Sequence, residues 1–190
     1  MTELEQPSPA ASSDSVREPA EPPEEVVRRR AHRYQMAFPE TDVDVIAGHI
    51  AVVRTGSEMR SAVSRHLEHY GINVARYSLL RALYFTRERM LPQSQIAREM
   101  GTSQPNVTQL LHALEKDGLV ERVIFPENRR VTFARLKPEG VTLCDTLVPS
   151  MVQFMEASME GLTAQELGEL QRLLARVSAR AEALYREAGS

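Results

Sequence analysis

Residues 92–136 read PQSQIAREMGTSQPNVTQLLHALEKDGLVERVIFPENRRVTFARL, and this stretch decides the fold. Pro92 opens a short helix through Met100, and Gly101 ends it. Ser103 caps a second helix, whose first turn tolerates Pro105 because an N–H there has no intrahelical partner to lose. Val107, Leu110, Leu111 and Leu114 recur at helical spacing and form one apolar face, and Gly118 stops the helix after Asp117. Residues 119–125 and 131–136 are rich in Val, Ile and Phe. Pro126-Glu127-Asn128-Arg129-Arg130 separates them, which predicts two strands of a hairpin. Two short helices joined at a glycine turn, then an arginine-tipped hairpin, describe a winged helix-turn-helix.

The second helix turns a polar side outward. At 100° per residue it holds Gln104, Pro105, Thr108, Gln109 and His112, with Asn106 at the border and Ser103 at the cap. Amide side chains pair with adenine edges, and Ser, Thr and His add adaptable donors and acceptors. The face carries little charge, so it suits base edges better than phosphates. Charge is concentrated at the hairpin tip, where Arg129 and Arg130 fit a minor groove or its phosphates. Residues 71–137 hold eleven bases against six acids, a net of +5. The expected partner is double-stranded DNA. A helical, dimeric adaptor that binds no DNA is the alternative, since any helix has a polar face and any hairpin can carry arginines.

Outward from this lobe, the chain reads as five segments. Residues 1–25 contain seven acids, one arginine and five prolines and almost nothing apolar, so they are expected to be a disordered acidic tail. Residues 26–38 read as a short basic amphipathic helix stopped at Pro39. Residues 40–70 form the first long helix, capped by Thr41 or Asp42 and ended at Gly71, with Val43, Ile46, Ile50, Val53, Val63 and Leu67 in its stripe. Residues 71–137 are the DNA-binding lobe, opening with a helix from Asn73 to about Arg87. Residues 138–190 hold two C-terminal helices. Pro149 is expected to kink or break the first, and Thr163-Ala164-Gln165-Glu166 is a capping box for the second. Beyond it Leu167, Leu170, Leu174, Val177, Ala181 and Leu184 alternate at coiled-coil spacing. The fold class is mainly α (α+β). The long helices form a dimerisation region, because a small winged lobe cannot cover their stripes.

Composition excludes several classes. The 190 residues carry a formal charge of −3, but the first 25 account for −6, leaving +3 on the rest. One cysteine permits no intrachain disulfide and fits a reducing cytosol. No run approaches the ~18 apolar residues of a membrane helix, and no signal-peptide pattern opens the chain, so a cytoplasmic protein without a membrane partner is expected. No Gly-rich phosphate loop, nucleophile elbow or paired carboxylates are present, so neither an enzyme nor a cofactor is expected. Cys144 sits on an apolar seam with Val141 and Val148 and reads as a small buried residue, with a redox sensor as the alternative. His66 and His69 are three apart on a helix; they read as solvated rather than as metal ligands.

Ile96-Ala97-Arg98-Glu99-Met100-Gly101, Val107-Thr108 and Leu114-Glu115-Lys116-Asp117-Gly118-Leu119-Val120-Glu121-Arg122 resemble the MarR family of bacterial transcription regulators. Residues 126–130 resemble that family's wing, and Leu136-Lys137-Pro138-Glu139-Gly140 its entry into the next helix. Pro39-Glu40 through Gly48, with the segment before it, is similar to a branch with an extra N-terminal helix. The resemblance implies a homodimer and a repressor released from a palindromic operator by a small ligand. In that fold the first two long helices border a cavity, here offering His49, Ile50, Val53, Tyr77, Arg81 and Tyr84, a lining that suits an aromatic acid. Three departures stand out. Asn128 replaces an acid usual in the wing, Lys137 replaces a capping Thr, and there is no tryptophan, which the urate-responsive members place beside their ligand.

Overall fold

The computed structural model describes residues 22–128 and 130–188, and these divide into two compact units between Ala62 and Val63. In the first unit α1 (Pro23–Ala37) precedes most of α2 (Val43–Glu68). Helix α1 begins earlier than expected. Pro23 gives up an N–H that has no partner in a first turn, and Glu24 and Glu25 sit where the helix dipole favours acids. Residues 23–25 therefore belong to the helix and not to the tail; the expectation for residues 1–21 lies outside the described residues. Asp42, rather than Thr41, caps α2, its Oδ1 accepting from the N–H groups of Asp44 at 2.9 Å and Val45 at 3.3 Å.

The second unit contains the winged lobe. Helix α3 (Val74–Tyr84) starts where Asn73 Oδ1 accepts the Arg76 N–H at 2.9 Å. It ends three residues short of the expected Arg87. Thr86 Oγ1 donates back to the Leu83 carbonyl and accepts the Met90 N–H, and Arg89 adopts a φ of 53°. The chain thereby turns into β1 (Met90–Pro92), a strand the sequence did not reveal. Helices α4 (Gln93–Glu99) and α5 (Gln104–Lys116) follow, then β2 (Val120–Ile124), a 3-10 turn at Pro126–Asn128 and β3 (Thr132–Leu136). The sheet is antiparallel in the order β1-β3-β2, with Ala134 paired to Leu91 on one side and Arg122 on the other. One core joins Leu79, Leu80 and Leu83 of α3 with Ile96, Val107, Leu111, Leu114, Val120 and Leu136.

Helix α6 (Pro138–Ser158) continues unbroken through Pro149. Pro149 is exposed, while Leu147, Val148 and Met151 hold the opposite side in the core, so the deprived carbonyl lies toward solvent and the helix survives. Its entry is stitched by the backbone. Leu136 N–H donates to the Arg89 carbonyl at 2.9 Å and Lys137 N–H to the Leu119 carbonyl at 3.0 Å. Lys137 supplies no side-chain cap, in keeping with the departure noted at that position. Helix α7 (Ala164–Ala188) begins at the expected capping box: Thr163 N–H and Oγ1 donate to Glu166 Oε2 at 2.8 Å each, and Glu166 N–H donates to Thr163 Oγ1 at 3.3 Å. None of its residues is buried.

Candidate nucleic-acid interface

The α4–α5 turn is set by Gly101, whose φ of 60° suits glycine, and by Ser103, whose Oγ accepts the Asn106 N–H at 3.5 Å. Val107, Leu111 and Leu114 are fully buried and fix the roll of α5, and Leu110 packs against the same core. That roll leaves Ser103, Gln104, Pro105, Asn106, Thr108, Gln109 and His112 exposed along one helix. The expected face is thus assembled, but its members are not equally free. Asn106 Nδ2 donates to Thr102 Oγ1 at 3.0 Å, and Thr108 Oγ1 donates to the Gln104 carbonyl at 3.0 Å. Gln104, Gln109 and His112 have no such tether among the described residues. They are the side chains whose donors and acceptors stand open to a base edge.

Charge in the lobe is distributed more selectively than composition showed. Arg76 pairs with Asp117, Arg122 with Glu115 at 2.7 Å, and Arg135 with Glu121 at 2.6 Å across the β2–β3 ladder. The Arg122 guanidinium, hydrogen-bonded to it, holds the Glu115 carboxyl below its ordinary range. Arg89 lies 4.0 Å over the Tyr84 ring and donates to the Tyr84 carbonyl. Four of the eleven bases are therefore engaged within the fold. Arg130 is exposed beyond the 3-10 turn, and Arg129, expected beside it, lies outside the described residues.

The first turn of α3 also borders this face. A groove of about 850 Å³ runs between it and α5, and Ser78, Met100, Leu110, Asn106 and Gln109 are among its lining. Read from the sequence, α3 has a buried side and, through Tyr77, Arg81 and Tyr84, a share of the effector cavity, but no place beside α5.

The residues expected to line an effector cavity fall in different surroundings. His49, Ile50 and Val53 stand together on α2 in the first unit, facing α1. In the second unit Tyr77 is buried in the lobe core, its hydroxyl raised in pKa chiefly by burial, and Arg81 is exposed. Tyr84 donates to Asp145 Oδ1 of α6 at 2.7 Å, and that bond raises its pKa. Cys144 is 1% exposed, and burial pushes its thiol up to about 11. A redox sensor requires an accessible thiolate, and this environment opposes both conditions. His66 is not a solvated side chain as expected. Its Nε2 lies 2.9 Å from Ser150 Oγ, which also accepts the Tyr70 hydroxyl at 2.6 Å, and its ring is 4.9 Å from that of Phe154. His69 is exposed, with its Nδ1 2.7 Å from the Arg65 carbonyl. No group of three or more potential metal ligands occurs among the described residues.

Residues 70–131 match a family model described as the MarR family. PrsX of Escherichia coli, an HTH-type transcriptional regulator, is 30% identical over 114 residues, which span 60% of this chain and 69% of PrsX. The chain belongs to the MarR family. MhqR of Bacillus subtilis, another HTH-type transcriptional regulator, is 24% identical over 136 residues, 72% of this chain and 92% of its own. The solved S. aureus MepR–DNA complex aligns with a TM-score of 0.64 at 20% identity, over 70% of this chain and 96% of MepR. For the MarR-family chain described here, that likeness places α3–α5 and the β2–β3 hairpin in a winged-helix fold. The curated relatives are transcriptional regulators and not enzymes.

Proposed function

We propose that this MarR-family protein is a homodimeric, sequence-specific DNA-binding regulator. The observation that carries the reading is the α5 face: Gln104, Gln109 and His112 untethered and exposed, flanked by Ser103, Pro105, Asn106 and Thr108, on a helix whose other side is fixed in the core. In this reading α5 enters the major groove, and Arg129 and Arg130 of the wing engage the minor groove or its phosphates. That MepR was solved with DNA supports it.

Residues 138–190, with 26–38 and 40–70, supply the dimer. Along α7, Leu170, Leu174, Val177 and Leu184 remain between 36% and 50% exposed, an apolar stripe at coiled-coil spacing that a second copy would cover. A two-fold dimer reads a near-palindrome with half-sites ~10 bp apart. The protein acts as a repressor released by a small aromatic acid, for which His49, Ile50, Val53, Tyr77, Arg81 and Tyr84 are the effector residues proposed from the sequence. Selection of genomic fragments by the purified protein, followed by footprinting, tests the reading. A single palindromic footprint is expected; uniform affinity for all fragments would overturn sequence specificity. No binding at all would favour the dimeric adaptor.

A further inference from the structure

Formal charge divides unevenly along the chain. Residues 1–21, which lie outside the described residues, hold five acids against Arg17 alone. Residues 22–62 balance six acids with six arginines, residues 63–70 are neutral, and residues 138–190 hold eight acids against four arginines. Only residues 71–137, at +5, are net positive. Three of the acids there are taken by Arg76, Arg122 and Arg135. Arg81, Arg87, Arg98, Lys116 and Arg130 are exposed and in no ion pair among the described residues. Residues 100–114, the turn and most of α5, carry no acid that would repel an anion.

This distribution selects an occupant for the unpartnered face of α5 and the wing. Cations that draw phosphates also draw carboxylates. Reach is no obstacle. Pro23 lines a cleft with Ala47, Ala51 and Thr55 of α2, so the segment before it joins the fold beside that helix. From Thr55 to the end of α2 is about 20 Å, and a segment of this length spans up to about 70 Å. Tethering raises the effective concentration of its carboxylates at the lobe into the millimolar range. We propose that residues 1–21 dock on the DNA-facing side of the winged lobe and are displaced when a duplex binds. The contact is autoinhibitory, and it rests on the reading of α5 and the wing as the DNA-binding face. The segment offers almost nothing apolar to bury, so its hold is electrostatic and fails in salt. Displacing it costs a cognate and a random duplex the same factor in affinity, so the device trims binding that phosphate contacts alone sustain.

The test uses the full chain with the photocrosslinker p-benzoylphenylalanine in place of Ala11, irradiated at about 50 mM salt and mapped by mass spectrometry. Crosslinks to residues 98–131 are expected, suppressed by a bound duplex or by about 0.5 M salt. A second full-length variant neutralises the segment through Glu3→Gln, Glu5→Gln, Asp14→Asn, Glu18→Gln and Glu21→Gln. At about 50 mM salt it should bind cognate and random duplexes each about tenfold more tightly than the wild type, and the gain should vanish at about 0.5 M salt. Circular dichroism should not distinguish the two proteins. Crosslinks confined to α1, α2 or α7 overturn the docking site, as do crosslinks unmoved by a duplex that binds. Tighter binding by the neutralised variant without crosslinks to the lobe would mean that the segment only repels DNA from a distance, and also overturns docking. The proposal and the reading beneath it fail separately. Equal DNA binding by the two proteins sinks the autoinhibitory contact and keeps DNA recognition; salt-sensitive crosslinks to the lobe in a protein that binds no duplex keep the contact and sink DNA recognition.

Discussion

Arg76, in the first turn of α3, is paired with Asp117, the residue that closes α5. The pair joins the first turn of α3 to the end of α5 and pins that end to the lobe. Arg76 Nε is buried without a partner, so the pair already carries a desolvation cost that Asp117 offsets. Asp117→Ala should destabilise the fold by about 1–2 kcal/mol, more than an exposed surface pair contributes. Adding Arg76→Met should restore part of that loss. Urea unfolding of the two single variants and the double variant checks this; strict additivity would show that the residues are not coupled.

Gly140 and Gly168 should respond in opposite senses to the same change. A Cβ at Gly140 would be driven into the Leu119 carbonyl, which cannot withdraw because it accepts the Lys137 N–H. Gly140→Ala should therefore destabilise by about 1–3 kcal/mol. Gly168 lies inside α7 with nothing within 4 Å of its Cβ position. Gly168→Ala should stabilise by about 0.5–1 kcal/mol through backbone entropy. Thermal melts of the two variants at one protein concentration would decide.

Recognition helix and wing should fail differently. Gln104→Ala or Gln109→Ala should cost about 1–3 kcal/mol on a cognate duplex and little on a scrambled one. Arg129→Ala with Arg130→Ala should weaken both duplexes and lower the salt slope by ~1–2 per protomer. Asn106→Ala should combine a binding loss with a stability loss, because its amide also ties the turn through Thr102. Affinity against salt on both duplexes is the measurement. Equal losses for the Gln variants on both would contradict base reading.

Cys144 should behave as a core residue. Its thiol pKa is raised in the fold to about 11 from an ordinary value of 9.0. A raised folded value means that the protonated form is favoured by folding. Stability from this group is complete below pH 9 and is lost as pH rises from there through about 11. At pH 8 a thiol-reactive disulfide reagent should label the native protein only as fast as it opens and should label it at once in denaturant. Rapid native labelling would revive the redox reading.

Glu166 gives the opposite slope at the other end of the pH scale. The Thr163 backbone N–H and hydroxyl hold its carboxyl below the ordinary 4.5. A lowered folded value contributes stability above that pH and loses it as pH falls through the folded value. Acid should therefore fray the start of α7; Thr163→Ala, which keeps the backbone N–H donor, should weaken that acid dependence, and Glu166→Gln should remove it. Helicity followed by circular dichroism from pH 6 to pH 3 is the check.

The readable parts of the fold were those written in local chemistry. Ser103, Asn73 and the Thr163–Glu166 box are caps whose partners lie three residues away, and the structure contains each of them. The apolar face of α5 was legible for the same reason: its period is its own. What escaped was set by distant partners. Met90-Leu91-Pro92 is too short and too proline-marked to announce a strand, and it becomes one because β3 pairs with it. Pro149 reads as a breaker, yet the core on the other side of α6 holds the helix together. In the candidate interface, counting bases overstated the available charge, because Arg122 and Arg135 meet their acids only after the chain has folded. The exposed face of α5 is legible from its period, but the bonds that occupy Asn106 and Thr108 appear only in three dimensions.

The stitched entry to α6 has a mechanical consequence. Between the last residue of β3 and the first of α6 stands Lys137 alone, and the joint is clamped from both flanks by the Arg89 and Leu119 carbonyls. Gly140 then presses the helix against the same Leu119 carbonyl. Such a joint has no slack. A torque applied along α6 is delivered to the hairpin as rotation rather than absorbed as bending. Helix and hairpin are keyed together at that joint and turn as one piece.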